Sequence, residues 1–483
     1  MRKIRVLDNV YDLITINMED RFKDNVAFRF YDTANDAVTT ILYKDYVQDI
    51  RKAVNYFQST IPEIKGKKIC LLTKNSYEYA VNTFGVVAAG AVLVLLNQRK
   101  SWDELSYELG LVEPDAILTD GDDYGFNDQL KAAYGDILRP MDGFRSYEPA
   151  QLTRCIDHEA LMVLMFTSGT TGRSKGVMLS EKNFFSVMRA HTQIGEHMMA
   201  YKHEPDLVMS QYTVLPMFHL GAFICLFSWA HAGWALNVSS DIRNFYKEVK
   251  RMPSQAMAVV PVIMNSLHHD VMRGRKERLG ELWVPICSSA MFDPQVMLDM
   301  AEHGMFVVQT YGSTETCGDG IINYAQDAKH IGAVGQGNDY LDYKIAEDGE
   351  LVVKGPLVCK GYHNNPGVTT QQITDGWLHT GDLGDISEDG FISITGRKKD
   401  LIITAGGKNV SPGLLEASVM TSPVVNQCLV IGDKKPFVAA LVTLDLADAN
   451  NWLESQGAKP EPDLASLAKN AIVHAEVERA VNA

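Results

Sequence analysis

The chain has little from which to build a covalent framework. Its seven cysteines (Cys70, Cys155, Cys225, Cys287, Cys317, Cys359 and Cys428) are spread over 483 residues, an odd number with no C-x-x-C spacing. Most sit in apolar surroundings, which reads as reduced, buried thiols and excludes a disulfide scaffold or a zinc ribbon. Positive charge is also short: 45 Lys and Arg face 60 Asp and Glu, for a net charge of −15. Such a chain is a poor general binder of nucleic acid, so any polyanion must be held by a local site. Long unbroken apolar runs are missing too. Residues 80–96 are interrupted by Asn82, Thr83 and Gly90, and residues 220–238 carry His231. Each reads as a buried helix followed by a buried strand, not as a membrane span. The basic start, Met-Arg-Lys-Ile-Arg, has no apolar signal core behind it. A cytoplasmic protein is expected, with peripheral membrane contact and oligomeric state left open.

Apolar residues at 46% and charged residues at 22% fit an ordinary globular protein. At roughly 150 residues per domain the length allows about three units. Residues 19–30 and 43–59 bracket a short strand region. Residues 68–72, 92–96, 160–166, 208–215, 257–260 and 305–309 read as strands, with a helix over 80–89 and another N-capped by Ser180. Beyond residue 325, Asp348-Gly349 and Asp389-Gly390 each separate apolar alternating runs, which predicts hairpins. The expected fold is α/β. A large N-terminal domain, 1–397, comprises two α/β lobes (about 1–155 and 156–325) and an antiparallel β-barrel-like part (about 326–397). A small α+β domain, 398–483, follows and ends in an amphipathic helix over about 464–481.

The densest chemistry lies in Thr167-Ser168-Gly169-Thr170-Thr171-Gly172-Arg173-Ser174-Lys175-Gly176, directly after an apolar strand. Glycines let the backbone approach a bulky anion. Hydroxyls and N–H groups can wrap phosphate oxygens, and Arg173 and Lys175 supply local positive charge. The spacing is not that of a Walker loop, and Gly332, Gly335 and Gly337 miss the dinucleotide pattern.

The segment resembles the phosphate loop of the adenylate-forming superfamily, which includes acyl-CoA synthetases, luciferases and peptide-synthetase adenylation domains. Further motifs recur in family order over about residues 20–445. Pro216-Met217-Phe218-His219 is similar to the P-x-F-H segment, which implies that His219 gates the acyl carboxylate. Tyr311-Gly312-Ser313-Thr314-Glu315 resembles Y-G-x-T-E, expected on a loop after the strand 305–309. It implies Tyr311 and Gly312 on adenine, Thr314 on the α-phosphate and Glu315, with Thr167, on Mg²⁺. Ser288-Ser289-Ala290 resembles the small-residue edge of the adenine site. Thr380-Gly381-Asp382 and Gly396-Arg397-Lys398-Lys399-Asp400 imply Asp382 and Arg397 on the ribose. They also imply Lys399 as the hinge of a mobile small domain. Gly406-Gly407-Lys408-Asn409-Val410-Ser411-Pro412 resembles the long-chain acyl-CoA synthetase branch, with Gly407 and Lys408 near CoA.

The resemblance implies an AMP-forming acyl-CoA synthetase that uses ATP, Mg²⁺ and CoA. Lys175, His219, Thr314 and Glu315 are its expected catalytic residues, and a fatty acid its expected substrate. No charged residue occurs between Ser210 and Ser240, where amino-acid-activating relatives carry an Asp, which argues against an α-amino acid. Phe218, Leu220, Phe223, Ile224, Leu226 and Phe227 offer apolar surface for a tail, or core. An acyl-AMP ligase, an aryl or other carboxylate–CoA ligase, and a silent ligand-binding relative remain as alternatives. The family's C-terminal P-x-T-x-x-G-K lysine is not matched by Lys434, Lys435, Lys459 or Lys469. A shortened C-terminal domain and slow adenylation are therefore expected.

Overall fold

The computed structural model describes residues 3–482 except 33–34, 155, 168–172, 289–292 and 339. Two mostly parallel sheets form the body. In the first, Leu138–Pro140, Ala116–Thr119, Lys68–Leu72, Val92–Leu95 and Leu161–Thr167 run parallel in that spatial order, and Lys175–Ser180 closes the edge antiparallel. In the second, Val26–Asp32, Ala235–Val238, Ser210–Thr213, Ala256–Val259, Val284–Cys287 and Val308–Ser313 are parallel neighbours. Ala37–Leu42 flanks one edge of it antiparallel, and Gly318–Asn323 and Gln336–Gly337 flank the other. The inner strands are short apolar runs buried along their length, such as Val92–Leu95. Parallel strands covered by helices on both faces require that pattern.

The two sheets interleave along the chain. Residues 26–42 join the sheet of residues 210–337, and residues 161–180 complete the sheet of residues 68–140. The expected lobe limit near residue 155 therefore coincides with no sheet boundary. The span 19–30 also divides, because a π-wound segment Leu13–Arg21 ends before the strand Val26–Asp32 begins.

Both Asp-Gly turns form where expected, with Gly349 and Gly390 at φ +83°. They join strands of an antiparallel sheet built from Asp342–Ile345, Glu350–Lys354, Ile373–Thr374, Trp377–Ile386 and Ile392–Arg397. A turn over residues 398–400 leads into the small domain. That domain holds the hairpin Val425–Ile431/Ala439–Leu444 and three main helices around Val419, Leu453, Leu467 and Val473. Its terminal helix is broken, not continuous over 464–481. Leu464–Leu467 stops, and the Asn470 side-chain Oδ1 accepts from the N–H groups of Ile472 and Val473 to start Ala471–Asn482. Asn265 of the large domain donates to the Met420 carbonyl at 3.2 Å. The six described cysteines are free thiols, and no helix among the described residues is long and apolar enough to cross a membrane.

Candidate active site

The phosphate segment lies between two strands that pair antiparallel. Thr167 and Lys175 face each other across the antiparallel pair that closes the first sheet, at the C-terminal end of its parallel strand Leu161–Thr167. Ser168, Gly169, Thr170, Thr171 and Gly172 lie outside the described residues, as do Ser289 and Ala290. The described flanks are firmly anchored. Lys100 Nζ donates to Ser174 Oγ at 3.0 Å and pairs with Glu108, whose side chain is wholly buried. Burial raises the Glu108 pKa, against the hydrogen bonds from Lys100 and Ser174 that lower it. Arg173 stands over the Tyr107 ring at 4.9 Å, and Lys175 over the Tyr362 ring at 5.5 Å. The Tyr362 hydroxyl donates to Glu315 Oε1 at 2.9 Å. Backbone bonds run alongside: His363 N–H donates to the Gly176 carbonyl and Cys359 N–H to the Glu315 carbonyl, both at 2.7 Å. Residues 359–363 thus stitch the strand bearing Lys175 to the turn bearing Glu315.

Tyr311 and Gly312 belong to the strand Val308–Ser313 itself, not to a loop after it. The strand continues because it pairs antiparallel with Gly318–Asn323, which keeps its backbone groups bonded. Gly312 is obligatory there, since a Cβ would lie 1.9 Å from the Gly318 carbonyl oxygen. Thr314 and Glu315 follow in a 3₁₀ turn, Thr314–Thr316, capped by Ser313. The Tyr311 hydroxyl donates to Asp382 Oδ2 at 2.6 Å, and Arg397 Nε sits 2.7 Å from Asp382 Oδ1. Burial and the adjacent Asp382 carboxylate push the Tyr311 hydroxyl well up. Glu350 fixes the approach to Asp382 by accepting from Gly381 N–H at 2.7 Å and pairing with His379 and Lys398. Burial opposes its ionisation, but these three bonds outweigh burial and hold Glu350 below the usual carboxylate range. Three residues assigned separately to adenine and ribose therefore meet around one buried carboxylate.

The remaining expected residues lie around this core. His219 is exposed at the N-cap of Leu220–Phe223; desolvation and the cations of Arg99 and Lys100 hold it below the ordinary histidine value. Lys399 is exposed in the turn after Arg397. Gly407 and Lys408 lie on an exposed turn of the small domain, where Lys408 N–H donates to Thr404 Oγ1 at 3.1 Å. Thr167 and Glu315 each offer hard oxygen to Mg²⁺. Among the described residues no group of three or more His, Cys, Asp or Glu assembles a metal cage. A single carboxylate and a hydroxyl suit Mg²⁺, which is usually held by one or two protein oxygens plus substrate phosphates.

Beside the hairpin lies a narrow cavity of about 50 Å³. Phe218, Leu220, Phe223, Ile224, Leu226 and Phe227 are packed in the core, while Cys225, Ser228, Trp229 and Ala232, at helical spacing on the other face, line the cavity. Gln211, His191 and Asp319 line it too. Gln211 is fully buried and donates to Cys225 Sγ at 3.2 Å, yet its Oε1 has no partner. His191 Nε2 is also unpartnered, and burial pushes its pKa down to about 4. Burial pushes Asp319 up to about 6, against the Thr310 hydroxyl, which lowers it. A second cavity of about 290 Å³, bordered by Lys3 and Arg21, shares Ile4, Ala232 and Trp234 with the first.

Sequence reasoning missed Lys100, Glu108, Tyr362 and Asp319. Only Tyr362 had a local signal, the Lys-Gly-Tyr step before Asn364-Asn365-Pro366.

The model of a family described as AMP-binding enzyme matches residues 18–363, and that of an AMP-binding enzyme C-terminal domain matches residues 399–481. The chain is 26% identical over 539 residues to a long-chain-fatty-acid–CoA ligase of Mycobacterium bovis, covering 95% of this chain and 88% of that protein. It is 31% identical over 386 residues to a 2-succinylbenzoate–CoA ligase of Bacillus cereus, covering 76% and 75%. ATP-bound MatB from Rhodopseudomonas palustris superposes with a TM-score of 0.76 at 25% identity, over 94% of this chain and 93% of MatB. The o-succinylbenzoate CoA synthetase of Bacillus subtilis, in complex with its acyl-adenylate intermediate, shares the fold. Its TM-score is 0.75 at 21% identity, over 93% and 92% of the two chains.

Proposed function

This chain belongs to the AMP-binding enzyme family of adenylate-forming, ATP-dependent acid–CoA ligases, and we propose that its acid is a fatty acid. The supporting observation is the cavity beside the Tyr311–Glu315 hairpin. Its walls include Trp229, Trp234, Ala258 and Ile286, and no Lys or Arg lines it among the described residues. A second carboxylate on the substrate, as in 2-succinylbenzoate, would face Asp319 and the Gln211 carbonyl oxygen without a cation to meet it. A carbon tail without a second carboxylate fits better. At ~10–15 Å³ per water-sized position, the cavity holds only a short tail unless it opens further.

A carboxylate is a poor electrophile because its leaving group would be oxide. Its attack on the α-phosphate of ATP expels pyrophosphate and leaves an acyl-adenylate, whose AMP departs readily when the CoA thiol attacks. The residues divide this work. Asp382, oriented by Tyr311 and Arg397, accepts from the ribose hydroxyls, and the Tyr311 ring covers adenine. Thr314 donates to the α-phosphate, and Lys175 neutralises charge that grows there. Thr167 and Glu315 would hold Mg²⁺, which would supply charge neutralisation on the phosphate oxygens. His219, kept neutral, borders the carboxylate's entry. Residues 1–397 and 398–483 act as two units, with Lys399 as their hinge and Gly407–Lys408 brought to CoA by rotation.

The test is thioester formation with ATP, Mg²⁺, CoA and carboxylates graded in chain length, alkyl and aryl. CoA-dependent AMP release with preference for alkyl acids is expected. Equal rates with aryl acids would undo the fatty-acid assignment, and acyl-AMP accumulating without thioester would undo the CoA step.

A further inference from the structure

We infer that the cavity beside the adenylate hairpin selects an acid whose tail carries a hydrogen-bond donor, a hydroxyl or an ammonium group, received by Asp319 and Gln211. The inference rests on the acid–CoA ligase reading and deepens it by naming the tail's chemistry.

The cavity is apolar along part of its wall but not throughout. Asp319, Gln211 and His191 all line it, and the first two present acceptor oxygen. Gln211 is completely buried with Oε1 unpartnered. Among the described residues no cation favours the charge of Asp319, and the nearby Thr310 hydroxyl is the neighbour that lowers its pKa. A buried acceptor left unmatched is a standing cost, and buried polar groups in folded proteins are almost always matched. A plain alkyl tail would seal Asp319 and Gln211 from water and give nothing in return. A tail carboxylate would add a third acceptor. A donor answers both groups at once, and the flanking indoles of Trp229 and Trp234 accommodate the carbon that carries it. His191 is neutral, so it adds no positive charge to repel an ammonium group. The acid that lines this cavity stands on the strand Gly318–Asn323, not between Ser210 and Ser240, where the chain has no acid.

The experiment compares straight-chain acids of graded length, each unsubstituted and with a terminal hydroxyl, ammonium or carboxylate group. The readout is kcat/KM for CoA-dependent AMP release by the whole chain. At one or more lengths the hydroxy or amino acid is expected to exceed the unsubstituted acid at least tenfold, with the dicarboxylate lowest. Asp319→Asn separates the two donors: it abolishes the advantage of the amino acid and keeps most of that of the hydroxy acid. Asp319→Leu reverses the order in favour of the unsubstituted acid. Preference of the unchanged chain for unsubstituted acids at every length would overturn the inference, as would variants with unaltered ratios. If a variant fails to fold, the ratios of the unchanged chain decide. Absence of AMP release with every acid would instead strike the ligase reading.

Discussion

Lys100 and Glu108 make the sharpest energetic test. Glu108 is fully enclosed, Lys100 is 17% exposed, and the pair is completed by the Lys100–Ser174 bond at the phosphate loop. Replacing Lys100 by Met keeps the stem's packing but strands a buried carboxylate. Breaking a buried pair from one side costs about 3–5 kcal/mol, whereas replacing both partners by apolar groups of similar volume is often close to neutral. Lys100→Met should therefore lower stability by roughly that amount, and Lys100→Met/Glu108→Leu should recover most of it. The pH dependence has a fixed sign. Burial already raises Glu108, and loss of Lys100 raises it further. A carboxylate whose folded pKa is raised favours the fold while protonated, and that contribution is lost as pH rises through the folded value. The Lys100→Met deficit should thus be smallest near about pH 4–5, where unfolded Glu also binds its proton, and grow towards neutrality. Urea unfolding followed by tryptophan fluorescence across that range reads both effects. ATP binding to the double variant reads the loop separately, and its KM for ATP should stay raised because Ser174 has lost its donor. A double variant no more stable than the single, or a deficit independent of pH, would refute the reasoning.

Three further outcomes follow from single contacts. Tyr311→Phe removes the donor to Asp382 but keeps the ring; a hydrogen bond to a charged group contributes about 1.5–3 kcal/mol, so KM for ATP should rise about tenfold or more, and an unchanged KM would show that Arg397 alone orients Asp382. Tyr362→Phe frees Glu315 Oε1, so a Mg²⁺ titration of AMP release should shift by a few-fold; superimposable titrations would separate Tyr362 from the metal site, and chelation should stop turnover in both proteins. Ile4→Ala thins the wall between the cavities of about 50 and 290 Å³, so the preferred acid should lengthen; an unmoved chain-length profile would mean that the two do not join.

The hairpins, the buried strands and the Ser180 cap were legible because their signals are local. Asp-Gly between alternating runs, an apolar run before a glycine, and a hydroxyl before a helix each act over a few residues. The adenylate motifs were legible for the same reason. Their chemistry needs Gly, hydroxyl and charge packed into short loops, so Thr167–Gly176 and Tyr311–Glu315 stand out in composition. Lys100, Glu108 and Asp319 gave no such signal. Lys100 matters because Ser174 is 74 positions away, and Asp319 because a helix 90 residues earlier faces it. The lobe boundary failed on the same ground. Strand order in a sheet is set by which apolar faces meet, and the chain crosses between sheets twice.

Asp319 reaches the cavity through a one-residue irregularity. Tyr311 pairs with Ile321, but Gly312 pairs with Asp319, so Gly320 is an extra residue on the returning strand. In a regular antiparallel ladder Asp319 would stand opposite Ser313, on the face that Tyr311 and Ile321 share. The bulge moves it to the other face, since a slip of one residue exchanges the two sides of a strand. Tyr311 and Ile321 accordingly pack towards the antiparallel sheet that carries Asp382, while Asp319 lies with Thr310 against Cys225 and Cys287. Without the extra residue, the carboxylate would stand on the face that Tyr311 and Ile321 share, away from the cavity. With it, one hairpin would, in the proposed reading, present an aromatic ring to the nucleotide, a hydroxyl and a carboxylate to the phosphates at its turn, and an acid to the tail on its far face. Only glycine fits at position 312 in this pairing, because a Cβ there would meet the Gly318 carbonyl.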